Sequence, residues 1–263
     1  MDRIRVATLN IWNRLGPWEE RLAAIRKELE RIQPDIFGLQ EVLVLPEHEF
    51  DQAKSIAEGL GYHTAFGRSP DATAYGMGNA ILSRWPIART LVFSLPGTDE
   101  HRCLVFAEID SPAGKIPFFS THLNWRFEES DVRQLQVQCI ARFVDANAPR
   151  EGYPPIVVGD FNAEPDSDEI RFMRGLTALG GRSVHFVDSF GVAGDKSLGA
   201  TFSLKNPYAA LLREPDRRID YIWVRGGDER FRGEPLSAKV CFDRPEGEAY
   251  PSDHFGVVAE LRV

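Results

Sequence analysis

The first forty residues constrain the fold more tightly than any other stretch of the chain. Residues 3–11 form an apolar strand, Pro17 then opens a segment in which Leu22, Ile25, Leu29 and Ile32 recur at spacings of three and four, and Pro34 ends it. Residues 35–40 are again an apolar strand. Strand, helix and strand in this order predict two parallel strands joined by a right-handed crossover, with the helix over one face of the sheet. The consequence is positional: Asn10 and Glu41, one at the end of each strand, finish on the same sheet edge.

A second helix is expected through Phe50, Ile56, Ala57 and Leu60, stopped by Gly61. Short strands near 62–66, 78–83, 88–94, 103–109 and 115–121 follow and read as a meander. Helix returns over 130–146, where Val132, Leu135, Cys139, Ile140 and Phe143 make one apolar face. The run from Pro155 to Gly159 is a fully buried strand, and another helix is expected near 167–179. The tail predicts strands near 218–225, 236–242 and 255–262, separated by loops at 226–235 and 243–252. Mixed strands with helices inserted at intervals predict an α/β chain, sheets face to face with helices outside, as one domain over 1–263.

At 263 residues, 43% hydrophobic and 27% charged, such a core needs no disulfide or metal staple. Cys103, Cys139 and Cys241 are odd in number, far apart and set in apolar runs, which favours reduced core thiols over bridges or a zinc site. No apolar stretch is long enough to cross a bilayer, and MDRIRVATLN lacks a secretory leader's apolar block, so a cytoplasmic address is expected. A formal charge of −8 opposes a large sequence-independent grip on nucleic acid, whose affinity comes mostly from Lys and Arg on phosphates.

Polar residues fall where apolar strands end: Asn10 after VATL, Glu41 after IFGLQ, Asp160 and Asn162 after IVVG, and Asp253-His254 before FGVVAEL. In extended chain, Asp160 and Asn162 would point the same way; an Asx turn is the alternative for GDFN. Asp253 and His254 would diverge in a regular strand, but Pro251-Ser252 breaks the regularity and lets both reach a common site. Asp220 lies among apolar neighbours in RRIDYIWV, where a carboxylate needs a partner, and an imidazole is the natural one.

The ordered set VATLNIW, LQEV, GNAILSR, STHLNW, VVGDFNAEP, RRIDYIWV and SDHFGVV, spanning nearly the whole chain, resembles the endonuclease/exonuclease/phosphatase superfamily. The resemblance implies a four-layer α/β sandwich of two packed mixed sheets flanked by helices, with a metal cleft at one end. It implies metal binding by Glu41, with Asn10 and Asp253 nearby or bridged through water, and oxygen ligands of this kind suit Mg²⁺ or Mn²⁺. It implies that Asp160 orients or deprotonates the attacking water, with the proton going either to Asp160 or to the Asp220-His254 pair, and that Asn162 holds a phosphoryl oxygen. His254 matches the essential histidine, Asp220 its carboxylate partner, and His122 a second histidine that stabilises the charged transition state. The mixture makes chemical sense: a phosphodiester repels anionic nucleophiles, so a cation and N–H donors must neutralise its oxygens while a base activates water.

The HLNW segment is similar to the deadenylase-like branch and its bacterial relatives. Trp125 and Phe127 are placed either to stack on a flat substrate group or, for Trp125, to pack beneath the following helix; Asn124 is carried with Trp125 as a substrate contact. Asn79 reads either as a cleft-lining amide or as a buried strand residue bonded to backbone. Arg213, Arg217 and Arg218 either steer a phosphate or belong to a solvated loop. Three functions remain open: an esterase for small or lipid-derived phosphate esters, favoured by the acidic balance; a nuclease using the same residues, favoured by HLNW; and an inactive binding module on the same scaffold.

Overall fold

In a computed structural model, which describes residues 2–69, 77–97, 100–226 and 228–263, the crossover unit forms as its spacing predicts. β1 (Arg3–Asn10) leads into α1 (Trp18–Ile32), and β2 (Ile36–Val42) returns parallel to β1 with Asn10 opposite Gln40. The expected second helix is shorter. Phe50 is taken into a two-strand ladder of β3 (Val44–Leu45) and β4 (Phe50–Asp51), and α2 (Gln52–Ala57) starts only after Asp51, whose side chain accepts from the Lys54 N–H.

The chain continues through β5 (His63–Gly67), β6 (Gly78–Ser83), β7 (Ile87–Ser94), β8 (Cys103–Ser111), β9 (Gly114–His122), α3 (Ser130–Asn147) and β10 (Ile156–Asp160). It ends with α4 (Asp168–Met173), β11 (Phe186–Asp188), α5 (Ser189–Ala193), β12 (Asp220–Arg225), β13 (Pro235–Cys241) and β14 (Gly256–Arg262). Residues 70–76, between β5 and β6, lie outside the described residues. One sheet has the order β13-β14-β1-β2-β6-β5, the other β11-β12-β10-β9-β8-β7. The meander is therefore divided: β5 and β6 finish the first sheet, and residues 84–86 carry the chain into the second, where Trp85 packs against the core between the sheets.

Each sheet holds a parallel pair, β1 with β2 and β9 with β10, bridged by α1 and α3 respectively. Strand alternation sorts the apolar residues into layers. Ile4, Val6, Ile36, Phe118, Ile156, Val158 and Ile222 meet between the sheets; Ala7, Leu9 and Phe37 pack under α1 and α2; Phe119, Val157 and Trp223 pack under α3 and α4. This is the four-layer arrangement.

The buried face of α3 differs from the expected one. Leu135 is exposed, and the inward face is Arg133, Gln136, Val137, Ile140, Ala141 and Val144. The cause is polar. Arg133 binds Glu169 on α4 at 2.7 Å, and Gln136 accepts from the Asn124 N–H at 3.1 Å, so hydrogen bonding rather than apolar spacing orients the first turns. Helix α4 stops at Met173, well short of residue 179, where Gly175 takes a left-handed conformation. All three cysteines are free, and among the described residues no helix is long and apolar enough to cross a membrane.

Gly159 decides how closely β10 approaches β9. Its φ is 149°, and a Cβ there would meet the Thr121 carbonyl oxygen at 1.9 Å. Gly159→Ala is expected to cost about 3 kcal/mol or more, from backbone strain and overpacking together, measurable as a lower urea midpoint.

Candidate active site

The residue that closes each central strand continues that strand's inward phase. Along β1 the inward series Ile4, Val6 ends in Asn10; along β10, Ile156 and Val158 end in Asp160; on β12, Asp220 shares the phase of Ile222 and Val224. The register pairs Asp160 with His122 of β9 on one side and with Asp220 on the other, so these three form one row across the second sheet. Glu41 would point outward with Leu39 in a regular strand. The pairing of β2 with β6 shifts register between Leu39 and Val42, and Glu41 has φ 57°, a bulge that re-aims its carboxylate into the cleft.

Bonds between these groups cross from sheet to sheet. Asn10 Nδ2 donates to Glu41 Oε1 at 3.1 Å and to Asp160 Oδ2 at 3.0 Å, while its Oδ1 accepts from the Trp12 N–H at 2.9 Å. Asn10 therefore turns its nitrogen, not its oxygen, toward the carboxylates. His254 Nδ1 lies 3.0 Å from Asp220 Oδ2, the partnership expected from the sequence, and its Nε2 lies 3.7 Å from Asp160 Oδ2. His122 Nε2 faces the same oxygen at 3.4 Å. The chain is not extended at GDFN: Asn162 has φ 50° and its N–H donates to Asp160 Oδ1 at 2.9 Å, an Asx turn, yet its amide still lies 3.0 Å from His122 Nε2.

Two buried residues that apolar spacing alone does not single out hold the loops. Ser252 Oγ donates to the Asn10 carbonyl at 2.7 Å, tying the Asp253-His254 segment to β1. Arg21 of α1 donates to the carbonyls of Ile11 at 2.7 Å, Asn13 at 2.9 Å and Pro251 at 3.1 Å, and burial lowers it to about 10. An arginine on the buried side of an otherwise apolar helix stripe was the available signal.

Electrostatics divides the two imidazoles. Burial opposes a charge on His254, but Asp220, Asp160 and Asp253 together outweigh it and hold His254 well above the ordinary imidazole range. His122 is pushed well below that range by burial, then by Arg102, whose Nη1 is 2.9 Å from Nδ1, and by His254. Burial raises Asp160 to about 7, with Asp220 adding and His254 opposing. Asp253 rises to about 6 through burial, with Glu41 contributing. Titratable groups driven apart in one cleft are the usual signature of acid–base work.

Glu41, His122, Asp160, Asn162, Asp253 and His254 line a cleft of about 550 Å³, together with Trp12 and Trp125. Asp220 lies behind His254, fully buried, with Oδ1 lacking a hydrogen-bond partner among the described residues. Trp125 is half exposed on the wall and does not pack beneath α3. Asn124 is not brought to the cleft. It is fully buried, its Nδ2 donates to Glu129 at 2.9 Å, and its Oδ1 accepts from Gln136 at 2.7 Å. Asn79 borders an adjoining hollow with Glu41 and Arg102, but its Nδ2 donates to the Cys103 carbonyl at 2.9 Å. Of the arginine cluster, Arg217 reaches the cleft wall, paired with Glu214 and stacked on Phe127; Arg218 turns away to Asp188, and Arg213 is exposed.

The residues present fit a hard divalent cation. Asp253 and Glu41 are carboxylates that line the same cleft and feel each other's charge, and Mg²⁺ commonly binds through one or two carboxylates while keeping waters. Asp160, Asp220 and His254 also bring ligand atoms within 4.8 Å of one another. Within that trio the 3.0 Å hydrogen bond between His254 and Asp220 already uses one ligand atom of each, and a cation there would have to displace it.

The sequence model of the Endonuclease/Exonuclease/phosphatase family matches residues 7–254. The chain is 26% identical over 290 residues to a putative neutral sphingomyelinase of Drosophila melanogaster, covering 99% of this chain and 61% of that protein. It is 25% identical over 268 residues to nocturnin of Xenopus laevis, covering 93% and 64%. The chain thus spans about three-fifths of the length of these curated relatives. Its fold is similar to that of D. rerio TDP2 complexed with a single-strand DNA product, with a TM-score of 0.80 at 19% identity over 99% of both chains.

Proposed function

The chain belongs to the endonuclease/exonuclease/phosphatase family, and from that premise we propose that its cleft hydrolyses phosphate esters with a water activated at Asp160. The observation that carries this reading is the convergence of two imidazole Nε2 atoms and one amide on Asp160 Oδ2, beside Glu41 and Asp253. Ionised Asp160 orients the water and takes its proton as the water oxygen attacks phosphorus. His254, protonated and held by Asp220, donates to the phosphoryl group and releases its proton to the departing oxygen. Neutral His122, with the Asn162 amide, offers further N–H groups to the non-bridging oxygens, where negative charge builds up. Glu41 and Asp253 are the residues that would hold Mg²⁺ or Mn²⁺, and the cation when bound supplies neutralisation of the ester oxygens.

A small or lipid-derived ester is the favoured substrate class. Among the described residues, the two arginines on the cleft, Arg102 and Arg217, are each paired with a glutamate, which leaves little net positive potential for a polyanion. The fly relative's name points the same way. A nuclease reading is supported by Trp125, exposed on the wall with Arg126 5.7 Å from its ring, a platform on which a base could stack. It is also supported by the DNA product held by the zebrafish protein.

The test is a metal-dependent screen over bis-p-nitrophenyl phosphate, the monoester, lysophospholipids, short RNA and abasic DNA. Hydrolysis of none of them with either metal overturns the reading. A nuclease that grips several phosphates should weaken steeply as salt rises, whereas a small-ester hydrolase should not. Glu41→Ala is expected to raise the Mg²⁺ concentration for half-maximal activity by about 10- to 100-fold, read from a metal titration.

A further inference from the structure

Arg102 stands immediately before β8 and is bonded to one of the cleft imidazoles. Its carbonyl accepts from the Leu95 N–H at 2.9 Å, which fixes the backbone, and Glu100 Oε2 accepts from its Nε at 2.8 Å and lies 2.7 Å from Nη2. Both side chains are 11% exposed. With Nε and Nη2 bound to Glu100, Nη1 is left pointing at His122 Nδ1, 2.9 Å away.

A guanidinium carries only donors and keeps its proton throughout the range in which proteins fold. His122 Nδ1 must therefore accept, and the proton of the neutral ring sits on Nε2. A second neighbour asks for the opposite. Asn162 Nδ2, which also lies 3.2 Å from the Leu123 carbonyl, is 3.0 Å from His122 Nε2 and would be satisfied if that nitrogen were the acceptor. Both demands cannot be met by one proton. The amide has a second acceptor in the Leu123 carbonyl and can give up the imidazole, whereas Nη1 of the guanidinium is aimed at His122 and can only donate. Arg102 therefore wins.

We propose that Arg102, held by Glu100, is a positioning residue that locks His122 in the tautomer whose Nε2–H faces the cleft; its effect on turnover rests on the phosphoesterase reading above. In that tautomer His122 is a donor toward Asp160 Oδ2, and hence toward any phosphoryl oxygen seated there. In the other it would present a lone pair to an anion. The same pairing keeps the ring uncharged beside cationic His254, so the two imidazoles do different work: one carries a mobile proton and the other a fixed N–H.

The experiment compares the wild type with Arg102→Met and Arg102→Lys. Methionine fills the space without a donor, and lysine restores one. Nitrogen-15 NMR of the imidazoles, without metal or substrate, is expected to find the His122 proton on Nε2 in the wild type and in R102K, and moved to Nδ1 in R102M under the influence of Asn162. In turnover of bis-p-nitrophenyl phosphate, R102M is expected to lose kcat by about 10- to 100-fold with KM little changed, and R102K to recover most of it. An unchanged tautomer in R102M overturns the proposal. So does a rise in KM at constant kcat in both variants, which would make Arg102 a substrate contact. Should R102M fail to fold because Glu100 is left unpaired, the Glu100→Gln/R102M double variant carries the same two readouts. If the wild type hydrolyses no ester, the phosphoesterase reading fails while the spectra still decide for or against Arg102.

Discussion

Replacing His254 with alanine is expected to lower kcat by about a thousandfold to ten-thousandfold, because in the proposed reaction it removes the group that supplies both the leaving-group proton and a positive charge at the phosphoryl oxygens. The substitution also strands Asp220, which is fully buried, has one oxygen already without a hydrogen-bond partner among the described residues, and is bonded to His254 Nδ1 at 3.0 Å through the other. Leaving a buried charge alone in this way costs about 3–5 kcal/mol. Turnover and stability should therefore separate in a second variant: His254→Ala/Asp220→Asn is expected to regain much of the lost melting temperature and none of the lost rate. Steady-state kinetics together with thermal unfolding measures both, and a double variant that regains turnover would remove His254 from the chemistry.

Asp160→Asn is expected to reduce kcat by about a thousandfold or more while making the metal-free protein more stable. The second half follows from linkage. Burial, with Asp220 adding, raises Asp160 to about 7 from an ordinary value of 3.8, so the folded chain binds this proton more tightly than the unfolded chain does. The stability from Asp160 is fully present below about pH 4, drains away as pH rises toward 7, and is absent above it. A carboxyl held that far above its ordinary value bounds the cost of the buried anion at pH 8 to about 4 kcal/mol at most. An amide of the same shape carries no such charge. Melting in EDTA at pH 8 should accordingly be higher for Asp160→Asn than for the wild type, with the gap closing by pH 4; a variant less stable at pH 8 would show that the Asn10 and Asn162 bonds to the carboxylate outweigh its desolvation.

The strands and the first crossover were legible because apolar alternation and helical spacing are local properties of the sequence, and Asn10 and Asp160 stood out as polar residues closing apolar strands. Partners lying far apart in sequence were harder to read. Asp220 announced its need for a partner through its apolar surroundings, whereas Arg102 lies in a charged stretch, DEHR, with nothing to mark it as the neighbour of His122. Asn124 misled for a related reason: a polar residue two places after a cleft histidine resembles a substrate contact, and only the packing of Gln136 and Glu129 against it shows its amide fully occupied. Glu41 was legible as the residue closing β2 on the edge shared with Asn10, but the bulge that turns its carboxylate inward was not, since a regular strand would have sent it to the outer face.

Asn10, Glu41 and the segment leading into β14 belong to one sheet, and His122, Asp160 and Asp220 to the other, so the bonds of Asn10 to Asp160 and of His254 to Asp220 are also rivets between the two halves of the molecule. Neither half can assemble a working centre alone. During refolding, secondary structure should return before enzymatic competence does, and small cavities cut into the apolar filling around Val158 and Ile36 should blunt catalysis from a distance by letting the halves slide. Rate of the proposed hydrolysis becomes, in such a protein, a ruler for the gap between its two halves.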